Sequence, residues 1–253
     1  MKNKFAIFLD IDGTIFDGKE VKKEDVDTIK MARKAGHLVF INTGRTCSII
    51  QDEVKKLELD GIIAGLGTHL VYKGETLRSV ILPKDVLVEF TEYALSENLK
   101  IEFQGEKENL YLNCGSCPER TVKESSDITG KFKNERISKF IIWGRFSEKD
   151  IAFLSKNFDI FQFDTYGEVA PKGYSKARGM KIIEDYLHIS HENTIAIGDS
   201  ANDTDMLEYA ETGVAMGNAE ASLKLKADYV TAAIKDAGVS KAIKKFVLDG
   251  GEC

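Results

Sequence analysis

An apolar run of five residues, Phe5-Ala6-Ile7-Phe8-Leu9, ends in two carboxylates one residue apart, Asp10 and Asp12. Unbroken hydrophobicity over so short a span reads as a strand buried on both faces, the situation of a parallel sheet covered by helices on either side. The chain that follows keeps this rhythm. Asp25–Ala35 reads as a helix stopped by Gly36, Leu38–Ile41 as a second buried strand, Ser48–Leu57 as another helix and "GIIAG" as a third strand. Strands alternating with helices of this length predict parallel pairing in a doubly wound α/β sheet.

The pattern changes after Pro83. A helix over Asp85–Asn98 is followed by the strand-like runs "KIEFQ", "LYLNC", "SKFIIW" and "FDIFQF", an α+β arrangement. Beyond Pro171 the α/β alternation returns, with a helix over Lys176–Leu187, the strand "TIAIGD", the helix "DTDMLEYAE" and the strands "GVAM" and "DYVT". The expectation is a Rossmann-like core built from residues 1–82 and 172–253, interrupted by an inserted α+β domain over 83–171.

A chain of 253 residues has room for two domains with real cores. A net charge of −6 argues against a nucleic-acid partner, which would call for a basic stripe. No apolar run approaches the length of a membrane span, and the N-terminal run is too short for the core of a signal peptide, so the default compartment is the cytoplasm. Cys114 and Cys117 form one C-x-x-C, but no second pair or neighbouring histidine completes a zinc site, and free thiols are the better reading. Oligomeric state is not encoded in any visible pattern.

In open α/β sheets, ligands bind at the carboxyl ends of the parallel strands. Four polar clusters fall there: Asp10 and Asp12, then Asn42-Thr43-Gly44-Arg45, Lys176 at the start of a helix, and Gly198–Asp203 ("GDSAND") after "TIAI". Two like charges about 4 Å apart repel by about 4 kcal/mol at an effective dielectric near 20. Asp10, Asp199 and Asp203 therefore call for a divalent cation, and carboxylates without Cys or His suit Mg²⁺. Lys176 stands in a first helical turn, where the macrodipole disfavours a cation unless an anion lies nearby. Acids, a hard cation, an anion-holding lysine and a hydroxyl make an inventory for phosphoryl transfer.

"DIDGT", "NTGR", Lys176 and "GDSANDTDML" resemble, in order and spacing, the four motifs of the haloacid dehalogenase superfamily, and "GVAMGNA" and "ADYVT" resemble its Cof-type branch. The insertion sits where that branch carries an α+β cap. The resemblance implies that Asp10 is the nucleophile forming an aspartyl-phosphate, and that Asp12 protonates the leaving oxygen and then activates water. It implies Mg²⁺ held by Asp10, the Asp12 carbonyl and Asp199, with Asp203 as an outer or direct ligand. Thr43, Gly44, Lys176 and Asn202 would hold the phosphoryl oxygens of a small phosphorylated metabolite, with sugar phosphates among the candidates. Asp12 favours phosphate esters, since the dehalogenase and phosphonate-cleaving branches lack an aspartate there. Leu66-Gly67 stands where the branch usually has Asn-Gly, Ala177 where it has Gly, and Ala237-Gly238-Val239 where it has Asp-Gly-Val. Two other readings of the same nucleophile are a phosphomutase and a phospho-accepting signalling module without turnover.

Overall fold

The computed structural model describes residues 4–115 and 117–248. Before the insertion come β1 (Ala6–Leu9), α1 (Lys23–Lys34), β2 (Leu38–Asn42), α2 (Asp52–Lys55), β3 (Gly61–Ala64), β4 (His69–Tyr72) and β5 (Glu75–Ser79). The insertion contains α3 (Lys84–Ser96), β6 (Lys100–Gly105), β7 (Leu110–Leu112), α4 (Ser126–Thr129) and β8 (Ile137–Trp143), then α5 (Glu148–Leu154), β9 (Phe158–Gln162) and β10 (Tyr166–Pro171). The chain continues through α6 (Lys176–Leu187), β11 (Thr194–Gly198), α7 (Thr204–Tyr209), β12 (Thr212–Ala215), α8 (Ala221–Lys224), β13 (Tyr229–Val230) and α9 (Gly238–Ile243).

Among the described residues, one compact unit takes in 4–45, Ile50–Arg78 and 175–248. Its eight-stranded sheet has the order β13-β12-β11-β1-β2-β3-β4-β5. β1 lies in the middle, parallel to β11 (Ala6↔Thr194) and to β2 (Ala6↔Leu38). Every residue of β1 and β2 is buried, so these strands are hydrophobic without alternation, as parallel strands covered on both faces must be. Phe8 and Phe40 stack across the pair with ring centroids 5.2 Å apart. The polar residues that follow β1, β2 and β11 thus leave neighbouring strands at one edge of the sheet.

The parallel run ends at β3. β4 pairs antiparallel with it, and β4 joins β5 through Lys73-Gly74, both with positive φ, the conformation a two-residue hairpin requires. The helix expected over Ser48–Leu57 is instead a 3₁₀ turn, Cys47–Ile49, followed by the single turn of α2.

The second unit comprises Ser79–Tyr174 together with Thr46–Ile49. Its sheet is antiparallel, in the order β7-β6-β8-β10-β9. One face packs on α3, whose Leu87, Phe90 and Ala94 are buried. Phe90 stacks on Phe140 with centroids 4.0 Å apart, and Phe103 and Phe158 close the cluster edge-on to Phe90. Ser48 belongs here through its Oγ, which donates to the Gly105 carbonyl at 3.1 Å.

Candidate active site

Asp10 and Asp12 leave the end of β1 in a tight turn. Gly13 has a φ of +79°, and a Cβ added to it would stand 2.1 Å from Asp199 Oδ2. Only glycine lets the β1 loop approach the β11 loop this closely. Thr14 Oγ1 donates to Asp199 Oδ1 at 3.2 Å and links the two loops a second time. On the β11 side, Asp203 turns back over its own loop: its Oδ2 accepts from the Asp199 amide at 2.9 Å and the Ser200 amide at 3.0 Å. A Cβ on Gly198 would lie 2.5 Å from the Asp203 Cγ, so this turn also excludes a side chain.

Lys176 closes the group from α6. Its Nζ donates to Asp10 Oδ1 at 2.7 Å, Asp203 Oδ1 at 2.5 Å and Asn202 Oδ1 at 3.3 Å, and the side chain is fully buried. The start of α6 is pinned on three sides. Ser175 Oγ accepts from the Arg178 amide, Asp205 Oδ2 accepts from the Ala177 amide at 3.1 Å, and Asn42 Nδ2 donates to the Lys176 carbonyl at 3.2 Å. Carboxylate capping of this kind offsets the unfavourable placement of a cation in a first turn.

Oxygens of Asp10, Asp199 and Asp203 lie within 4.8 Å of one another. Burial drives the Asp10 carboxyl well above the usual carboxylate range; Lys176 opposes this, while Asp203 and Asp199 add to it. Burial and the charge of Asp203 push Asp199 up to about 7. Burial works against the Lys176 ammonium, but Asp10 and Asp203 hold it charged above the ordinary lysine range. Fully ionised, three carboxylates and one ammonium would leave two negative charges close together, which is why burial and mutual repulsion raise Asp10 and Asp199. Hard oxygen donors with that residual charge fit a dication such as Mg²⁺.

The other residues picked out by sequence are disposed differently. The Asp12 side chain is half exposed and gripped by Arg45, with Nε to Oδ2 at 2.6 Å and Nη2 to Oδ1 at 2.9 Å. Thr43 follows β2 directly; its amide donates to the Ile63 carbonyl at 2.8 Å, and its Oγ1 accepts from the Arg45 amide at 3.1 Å, so it forms the turn that aims Arg45. Gly44 lies within that turn. Leu66 is fully buried with a φ of 57°, a conformation that suits Asn better than a branched side chain. Cys114 and Cys117 are free thiols directed at the Ile101 and Leu112 carbonyls and at Glu119, respectively. Arg45 closes the "NTGR" motif, where nothing local in the sequence marks a partner for its side chain. Its partner is 33 residues away, and only the alignment of β1 beside β2 shows the pair. Asp205, the last acid of "GDSANDTDML", likewise has its partner, the Ala177 amide, 28 residues away.

With the fold and the cluster in view, the likenesses to known proteins fall into place. Residues 7–243 match the model of the haloacid dehalogenase-like hydrolases, and the chain belongs to that family. It is 25% identical to 5-amino-6-(5-phospho-D-ribitylamino)uracil phosphatase YitU of Bacillus subtilis, over 96% of this chain and 97% of that one. Phosphoglycolate phosphatase of Methanothermobacter thermautotrophicus is 28% identical, with 96% and 98% covered. Among solved structures, the phosphatase BT1666 from Bacteroides thetaiotaomicron superposes with a TM-score of 0.85 at 25% identity, covering 96% of this chain and 95% of that one. The chain is a Cof-type phosphatase of the haloacid dehalogenase superfamily.

Proposed function

We propose that this phosphatase hydrolyses small phosphorylated metabolites through a phosphoryl group carried on Asp10, with Mg²⁺ held by Asp10, Asp199, Asp203 and the Asp12 carbonyl. The observation that carries this reading is the Lys176 ammonium, fully buried between the Asp10 and Asp203 carboxylates. A cation in that position opposes the burial that raises Asp10 and favours the ionised carboxylate, the form that attacks phosphorus. Mg²⁺ bound among these carboxylates would draw charge from the phosphoryl oxygens.

In this reading, Asp10 Oδ attacks phosphorus in line with the ester oxygen, and the P–O bond to the leaving group breaks. Asp12 gives that oxygen a proton, then takes one from the water that attacks the aspartyl-phosphate. Thr43, Gly44, Lys176 and Asn202 hold the phosphoryl oxygens as charge shifts among them. The insertion over 83–171 is the cap of this class, and it selects the leaving group. Named substrates of the relatives include a phosphoribitylamino-uracil and phosphoglycolate, and a sugar phosphatase superposes with a TM-score of 0.81. Phosphorylated polyols, sugars and hydroxy acids are therefore the candidates to test first.

The test is a colorimetric screen of such esters with purified protein and Mg²⁺, read as inorganic phosphate over many turnovers. Release without a bisphosphate primer supports hydrolysis. Release that depends on a primer would make the protein a mutase.

A further inference from the structure

The turn after β12 touches both loops that bear the acids. Asn218 Nδ2 donates to the Gly13 carbonyl at 2.8 Å, and Asn218 Oδ1 accepts from the Ile234 amide at 2.8 Å. Two residues further on, the Glu220 amide donates to the Asp199 carbonyl at 3.2 Å. Both ends of an exposed asparagine side chain are thus committed to main-chain groups of distant segments, one of them 205 residues away. The main-chain group it holds is the peptide of the glycine that lies against Asp199.

We propose that Asn218 is a positioning residue for the cation cradle, fixing the Gly13 peptide so that the Asp10 loop stays in register with Asp199. The proposal rests on the phosphatase reading above. Its physical basis is that Mg²⁺ accepts little departure from octahedral geometry, so the oxygens of two separate loops must converge before the ion arrives. Gly13 is the contact between those loops, and a glycine with positive φ has no side chain to restrain it. Asn218 supplies the missing restraint from outside, while the Glu220 amide restrains the opposite loop from the same turn. The distinction from a simple surface hydrogen bond lies in what should change: affinity for the ion, ahead of the stability of the chain.

The experiment uses the full chain with Mn²⁺ as the probe, its binding followed by electron paramagnetic resonance. Asn218→Ala should weaken Mn²⁺ binding by about tenfold, the usual effect of losing an outer support of a metal site. It should raise the half-saturating Mg²⁺ concentration for p-nitrophenyl phosphate hydrolysis by a similar factor, with KM at saturating Mg²⁺ and the melting temperature of the metal-free protein unchanged. Asn218→Gln, which keeps both amide groups, should fall between the two. Lys224→Met is the control: it removes the Nζ bond to the Gly217 carbonyl, and so loosens the same turn without touching Gly13. It should bind Mn²⁺ like the wild type. Wild-type affinity in Asn218→Ala overturns the proposal, as does an equal loss in Lys224→Met. A wild-type protein that binds no Mn²⁺ overturns both the proposal and the reading beneath it.

Discussion

Asp25 shows what a buried carboxylate does here without a cation. It is fully buried on α1, accepts the Ser240 amide at 2.6 Å, and leaves its Oδ2 without a hydrogen-bond partner. Burial raises it to about 6, the Ser240 bond pulling the other way. The folded state therefore prefers the protonated form. Its contribution is complete below the unfolded value near 4 and is lost as pH rises through about 6, a change of about 3 kcal/mol. Denaturant titrations of wild type and Asp25→Asn should show this: the difference between the two curves shifts against the wild type from pH 4 to pH 7, then stays constant. Asp10 and Asp203 are buried acids too and Asp199 is half-buried, but Lys176 lies among them. The motif acids and the lysine were legible in the sequence because they fall together, as polar clusters at successive strand and helix ends. Arg45, Asn218 and Asp205 were not, because their partners come from segments distant in the sequence.

The helix that carries Lys176 is placed by an unusually close approach to the sheet. A Cβ added to Gly179 of α6 would lie 2.4 Å from Ile63 Cγ2 on β3, and one added to Gly67 would lie 2.4 Å from the Ser175 carbonyl. Gly179→Ala sets two effects against each other. Helix propensity would favour alanine by about 1 kcal/mol, while overpacking typically costs about 1–3 kcal/mol. At 2.4 Å the clash should win, giving a net loss of stability and a fall in turnover as α6 and its lysine are displaced. Ile63→Ala in the same chain should recover part of the loss despite the cavity it makes; strictly additive effects would show that the contact is not what matters. Elements with one clear signal were readable. β1, β2, β3, β11 and α6 had unbroken apolar runs or helical spacing between turn residues. β5 has only partial burial on a sheet edge, and β10 carries Gly167, Glu168 and Pro171 in six residues, so neither shows a strand's hydrophobic pattern. Tertiary pairing makes them strands: β10 lies between β8 and β9.

Two hydrophobic cores, one per unit, predict that the two units lose structure separately. The Phe90–Phe103–Phe140–Phe158 cluster belongs wholly to the inserted unit, and β1, β2 and β11 wholly to the other. Phe140→Ala should cost about 3–5 kcal/mol, and hydrogen exchange should show where: amides of β6, β8 and β10 lose protection while those of β1 and β11 keep it. Equal loss in both would mean the two cores unfold as one. Metal should act on the other unit. Chelator should stop hydrolysis, and saturating Mg²⁺ should raise the melting temperature, as any ligand bound only by the folded state must. An unchanged melting temperature would contradict a site prepared for the ion.

Everything proposed for the chemistry turns on Asp10 receiving a phosphoryl group. Rapid quenching during turnover of a ³²P-labelled ester, followed by peptide mapping, measures this directly. The label should reside on the peptide that ends β1, at Asp10, and disappear in Asp10→Asn, whose turnover should drop by about a thousandfold or more with the fold intact. Turnover at the wild-type rate in that variant, or a label on any other residue, would contradict the account.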